Sequence, residues 1–153
     1  MTMSSIFNSP FETSLRILLI MEQSTDSFYS SDMLAAIDFV SVYGKDFGIA
    51  DTNLHGDNLF MFSEFATRRS LTQKAIKESV LSGLLNIKTG NSGFEYQINE
   101  TGLKYCCSLE SDYANSYREV VRRTIAIIDN MSEQQVLKNI NEQSISSLRK
   151  GGK

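Results

Sequence analysis

The chain has 153 residues, with one proline, one histidine, two cysteines and a net charge of −3. That length supports one domain, or a domain with a helical extension, and 41% hydrophobic with 22% charged residues excludes a disordered chain. The longest apolar run, Ile17 to Met21, is too short to span a bilayer and follows no basic segment, and adjacent Cys106 and Cys107 form no CxxC pair, so a reducing, cytoplasmic setting is expected.

Ser9-Pro10-Phe11-Glu12 combines a capping serine, a proline at the first helical position and a glutamate three residues after the cap. The helix it opens is expected over Pro10 to Glu22. Leu15, Ile17, Leu18, Leu19, Ile20 and Met21 surround nearly its whole circumference, which predicts burial on more than one side, by a partner or a second chain if not by this one. A polar, serine-rich stretch from Gln23 to Ser31 precedes a second helix, roughly Asp32 to Tyr43, stopped by Gly44.

Lys45 to Asn58 reads as a long loop, either functional or holding a short turn of helix. A short helix over Leu59 to Thr67 is expected next. Ser70-Leu71-Thr72-Gln73 then resembles a second capping box, opening a helix that closes at Ser82-Gly83. Leu84–Lys88 and Phe94–Ile98 read as two strands of a hairpin, joined by the glycine-rich Thr89–Gly93. Asn99 caps one long helix expected from Glu100 to about Asp129, and Ser132-Glu133-Gln134-Gln135 starts the last.

This order predicts a mainly α chain with a small β-hairpin, of the α+β class. A winged helix-turn-helix over 59–110 would stand between an N-terminal helical segment and loop (1–58) and a C-terminal helical extension (111–153), all in one compact unit. Winged helices serve as DNA readers and as protein-docking modules alike.

Charge is uneven along the chain. Residues 1–64 carry two basic groups against nine acids, whereas 65–104 carry six against three. Arg68, Arg69, Lys74, Lys77 and Lys88, with Gln73, form the candidate DNA-backbone contacts, and Gln73 has the chemistry to read an adenine. Leu81 falls on the same helix side as Lys74 and Lys77, however, and the hairpin loop carries no charge. Both features favour protein docking or backbone-only contact over base readout. The rival expectation is a dimeric transcriptional regulator of the winged-helix type.

Catalysis has little support. His55 is the only histidine, and the Asp, Asn and Gly residues around it are those of turn chemistry. No phosphate-binding glycine loop, HExxH or cysteine metal pair occurs, and Asp51, Asn53, Asp57 and Asn58 lack calcium-loop spacing. Cys106 and Cys107 read as packed thiols. No enzyme activity, cofactor or metal is expected.

Several strings carry a resemblance. They are Phe7-Asn8-Ser9-Pro10-Phe11-Glu12-Thr13-Ser14-Leu15-Arg16, Ala36-Ile37-Asp38-Phe39, Tyr43-Gly44-Lys45-Asp46-Phe47-Gly48, Leu54-His55-Gly56-Asp57-Asn58, Phe62-Ser63-Glu64-Phe65 and Gly93-Phe94-Glu95-Tyr96. Together they resemble the middle component of ABC-three component anti-phage defence systems, of which Lamassu is one, over roughly the first two thirds of the chain. The resemblance implies a non-catalytic adaptor linking an SMC or Rad50-like ATPase subunit to an effector subunit such as a nuclease, with double-stranded DNA held by the complex. On that view the candidate partner contacts are Leu15, Leu18, Leu19, Met21, Phe47, His55 and Leu81. A homodimer is compatible with the same reading, and no membrane is involved.

Overall fold

A computed structural model describes residues 9–91 and 93–151. Helix α1 spans Pro10–Glu22, strand β1 Tyr29–Ser30 and helix α2 Ser31–Val42. A 3-10 turn at Met61–Glu64 leads into α3, Phe65–Leu81. The hairpin β2 (Leu85–Gly90) and β3 (Gly93–Ile98) follows, then α4 (Glu100–Cys107), α5 (Asp112–Ile128) and α6 (Glu133–Gly151). The chain is thus mainly helical with a three-stranded antiparallel sheet ordered β1-β3-β2. Among the described residues no helix is long and apolar enough to cross a membrane.

The first helix is as its sequence predicts. Ser9 accepts a hydrogen bond from the Glu12 N–H at 3.1 Å, and Pro10 occupies the first turn. Every residue from Arg16 to Met21 is buried, because α1 lies among α2, α3, α4 and α5 of its own chain. Each enclosed aliphatic side chain there contributes about 1.5–3 kcal/mol of transfer free energy. Nine consecutive residues of α2, Leu34 to Val42, are buried as well. Helix α3 presents Arg68, Thr72, Ala75, Ile76 and Ser79 inward, and the small residues of that face let α1 approach closely.

The structure departs from four local expectations. First, the short helix over 59–67 and the capped helix from Ser70 are not separate, since α3 runs unbroken through Ser70. No glycine or proline interrupts Phe60 to Leu81, and inward anchoring of Arg68 and Thr72 keeps the helix continuous across the false cap. The helix-turn-helix expected inside 59–82 is therefore absent.

Second, the polar stretch before α2 contains β1, whose Tyr29 and Ser30 pair with Tyr96 and Glu95. Third, the long helix from Glu100 breaks at 108–111, where the Ser111 hydroxyl caps α5 by accepting from the Ala114 N–H at 3.1 Å. Arg118 holds the break from outside: its guanidinium donates to the carbonyls of Leu109 (2.6 Å) and Cys106 (2.8 Å) and to Glu22 (2.8 Å). Fourth, α2 ends just before Gly44 as expected, but this glycine is not in the left-handed conformation of a usual helix stop. A Cβ there would lie 3.1 Å from Ala50 Cβ, a tight contact.

Local cues hold elsewhere. Gly83 ends α3 with φ of 77°, and Ser132 and Gln135 form a reciprocal capping box at α6. Gly102 shows packing overruling propensity: a Cβ there would stand 2.5 Å from the Leu84 carbonyl oxygen and 2.7 Å from Ile98. Gly102→Ala should therefore destabilise the chain by about 1–3 kcal/mol, although alanine is the better helix former. The midpoint of urea unfolding checks this, and an unchanged or higher midpoint would refute it.

Candidate functional site

A buried arginine of α1 and a buried aspartate of α2 meet in the core. Asp38 of α2 accepts from Arg16 of α1 at 2.9 Å and 3.3 Å, from Tyr117 of α5 at 2.6 Å and from Arg68 of α3 at 3.5 Å. All four side chains are buried. Glu12 and Glu64 lie farther out, 3.9 Å and 3.8 Å from Arg16 and Arg68, at the partly exposed rim of the cluster. Burial alone would raise the Asp38 pKa, but Arg16 and Arg68 outweigh it and hold the carboxyl below its usual range. Burial and the neighbouring carboxylate push the Tyr117 hydroxyl well above its ordinary value. The cluster ties four helices together and keeps its charges from solvent.

Beside it, the 43–60 segment is stitched by Asn53, which accepts from the Lys45 N–H (3.0 Å) and donates to Asp46 (2.7 Å) and Asp57 (3.1 Å). His55 stacks on Tyr113 and bonds its hydroxyl through Nε2. Desolvation, with Arg16 and Arg68 nearby, lowers the His55 pKa to about 3, so the ring is neutral at pH 7. Cys106 is enclosed and its thiol is pushed up to about 12 by burial, while Cys107 is exposed, so only one of the two is a packed thiol.

The six candidate DNA contacts do not form one cationic surface. Arg68 is a buried member of the Asp38 cluster, so it cannot reach a phosphate. Arg69 is exposed but engaged with Asp32 at 2.9 Å and 3.1 Å. Lys88 is drawn to Glu95 (3.8 Å) and over the Phe28 ring (4.0 Å). Gln73, Lys74 and Lys77 remain on the open face of α3.

The candidate partner contacts divide similarly. Leu18, Leu19 and Met21 are buried by this chain's own helices and need no partner to cover them, and Leu15 is half-buried. Phe47 packs on Phe39 and Phe62, and lines a pocket of about 380 Å³ with Val40, Ile49, Ile128 and Ile140. His55 is half-buried against Tyr113, and Leu81 is exposed at 77%.

Several exposed apolar groups are not singled out from the sequence, among them Leu59 at 93%, Phe60 at 73%, Phe94 at 60% and Ile87 at 48%. Leu59-Phe60 follows directly on the Asp57-Asn58 turn residues, a signal that two large apolar side chains sit at a loop tip. A groove of about 810 Å³ between the hairpin tip, the start of α2 and Gln73 adds polar surface, with Asp32, Glu95 and Glu133 on its walls.

The family model described as MC2, the ABC-three component (ABC-3C) system Middle Component 2, matches residues 6–150. That span includes the C-terminal helices, beyond the strings on which the resemblance rests. No curated protein and no solved structure matches the chain.

Proposed function

The chain belongs to the middle component 2 family of ABC-three component systems, a membership that implies partner components, and on that premise we propose that it is a non-enzymatic adaptor. In this reading it links an SMC- or Rad50-like ATPase to an effector such as a nuclease, in a Lamassu-like defence against phage or plasmid DNA in the cytoplasm. The observation that carries it is the distribution of surface chemistry. Arg68, Arg69 and Lys88 are spent on acids or rings of their own chain, whereas Leu59, Phe60 and Leu81 stand in solvent. Unpartnered apolar side chains with neutralised cations suit protein docking better than a phosphate backbone.

A tagged chain recovered from its host should bring an SMC-like ATPase and an effector in fixed ratio. Leu59→Asp with Phe60→Asp should cut that recovery at least about 10-fold, since exposed apolar anchors carry docking energy, while thermal unfolding stays nearly unchanged. Full recovery with the double variant would remove the 59–60 tip from the reading. Recovery of promoter DNA with no ATPase would overturn the adaptor itself.

The second reading, a winged-helix DNA-binding regulator, draws support from the sheet order β1-β3-β2 around α1, α2 and α3, which is compatible with a winged helix. On that assignment the module begins at α1 and its wing is the β2–β3 hairpin. Lys74 and Lys77, flanked by Gln73, would be its remaining phosphate contacts. Two neutralised phosphates per copy give a salt slope of about −2 on a log–log plot, or about −4 for a dimer, so sequence-specific DNA binding by the isolated chain with a slope in that range would favour the regulator.

A further inference from the structure

We propose that two copies of this chain exchange their α5–α6 arms. The break at 108–111 straightens, α4 and α5 become one helix, and each arm takes up its place on the other copy. This stands apart from the adaptor reading and concerns the isolated chain.

The break holds no residue that demands it. Ser108-Leu109-Glu110-Ser111 contains neither glycine nor proline, and leucine and glutamate are good helix formers. Ser108 is already helical (φ −81°, ψ −11°), whereas Ser111 is extended (φ −65°, ψ 160°) and caps α5. Local preference therefore runs toward one helix over 100–128, about 43 Å long. What the bent form alone provides is the Ser111 cap and the grip of Arg118 on the carbonyls of Cys106 (2.8 Å) and Leu109 (2.6 Å). In a continuous helix those carbonyls accept from the N–H groups four residues on, so straightening leaves no backbone group of the break unpaired.

The contacts that seat the arm select a second copy as its host. Helix α5 packs on α1 and α2, and α6 on α2. Tyr117 donates to Asp38 at 2.6 Å, Ser41 to Thr124 at 3.0 Å and Ser30 to Glu133 at 2.8 Å. His55 stacks on Tyr113, and Arg118 reaches Glu22. These pairs lie 58 to 103 residues apart in the chain, and none depends on which copy supplies the arm. A chain whose arm has swung out presents the apolar face of α2 and an Asp38 carboxylate without its tyrosine. The arm of a second copy restores each of these contacts, and reciprocal exchange closes a two-fold dimer. The balance between monomer and dimer is thereby left to the few bonds at the break.

Refolding the full chain from urea at about 200 µM should give a dimer by sedimentation that persists for hours after dilution, because release means withdrawing buried helices. Asp112→Pro puts proline at the first residue of α5, which the bent form accepts and a continuous helix does not. It should cut the dimer fraction at least about 10-fold while circular dichroism stays native. Arg118→Ala should raise that fraction at least about 3-fold, and Ser111→Ala, which keeps the Arg118–Glu22 pair, should act in the same direction. The place of the arm is read by co-refolding a Ser41→Cys chain with a Thr124→Cys chain, both on a Cys107→Ser background. Only exchange brings these two positions together across copies, so oxidation should link the mixture covalently and neither chain alone. A monomer after every refolding, for wild type and Arg118→Ala alike, would overturn the proposal. So would a dimer indifferent to Asp112→Pro, or a mixed dimer that forms no link.

Discussion

Replacing Asp38 with alanine is expected to cost about 3–5 kcal/mol, enough to unfold a large share of the chain at 37 °C. The reason is the arrangement around it. Arg16 and Arg68 both point at this carboxylate in a site closed to water, and Tyr117 donates its hydroxyl to it. Removing the carboxylate leaves two guanidinium groups buried with only Glu12 and Glu64 at 3.9 Å and 3.8 Å. Asp38→Asn keeps the shape and removes the charge, so it should recover only a minor part of the loss. Joint replacement of Arg16, Asp38 and Arg68 by apolar residues of similar volume, with Tyr117→Phe, should cost much less than Asp38→Ala alone, because the charges left behind, on Glu12 and Glu64, are partly exposed and can be solvated. Urea titration of the set decides this. A loss below about 1 kcal/mol for Asp38→Ala would mean that water reaches the cluster and screens it.

Acidification from pH 7 to 4.5 is expected to remove up to about 3 kcal/mol of stability through His55 alone, at about 1.4 kcal/mol per pH unit. The folded pKa is about 3, below the ordinary value of 6.5. Below pH 6.5 the unfolded chain therefore binds a proton that the native chain refuses, and stability falls progressively toward pH 3. Asp38 has the same sign, but its contribution is complete above the unfolded aspartate value and fades only in stronger acid, outside this window. Glu12 acts oppositely, since burial raises its pKa and lets the native state take up a proton first. His55→Gln should flatten the decline between pH 6.5 and 4.5, measured as the shift in urea midpoint. An equal slope in wild type and variant would place the proton elsewhere.

Much of the local architecture is legible in the residues. Ser9-Pro10 starts α1, Gly83 stops α3, Asn99 caps α4 and the Ser132–Gln135 pair opens α6, each through a hydrogen bond or a backbone angle set within a few residues. The hairpin was legible for the same reason. Its strands alternate, and glycines close it at Gly90 and Gly93. The Ser70–Gln73 signature misled because two residue types three apart occur freely inside helices, and only extended backbone before them makes a cap.

The candidate site was far less legible. Arg68 and Lys88 look like surface cations in sequence, and Leu18, Leu19 and Met21 look like surplus apolar surface, yet packing reverses both assignments. A signal existed for the cluster: Arg16 and Asp38 are each a single charge within an otherwise apolar helix segment, which in a buried helix requires a partner.

Family membership, helix content, the hairpin and the absence of an apolar run long enough to cross a bilayer were thus determined by the sequence itself. Tertiary structure alone decided that Tyr29–Ser30 is a strand, that the helix after the hairpin breaks at 108–111, and which charges and apolar groups meet water. A two-residue strand exists only because β3 offers it an edge, and the break is held by Arg118 together with Glu22 from α1. Exposure follows from how helices distant in the chain enclose one another, and no local pattern encodes that.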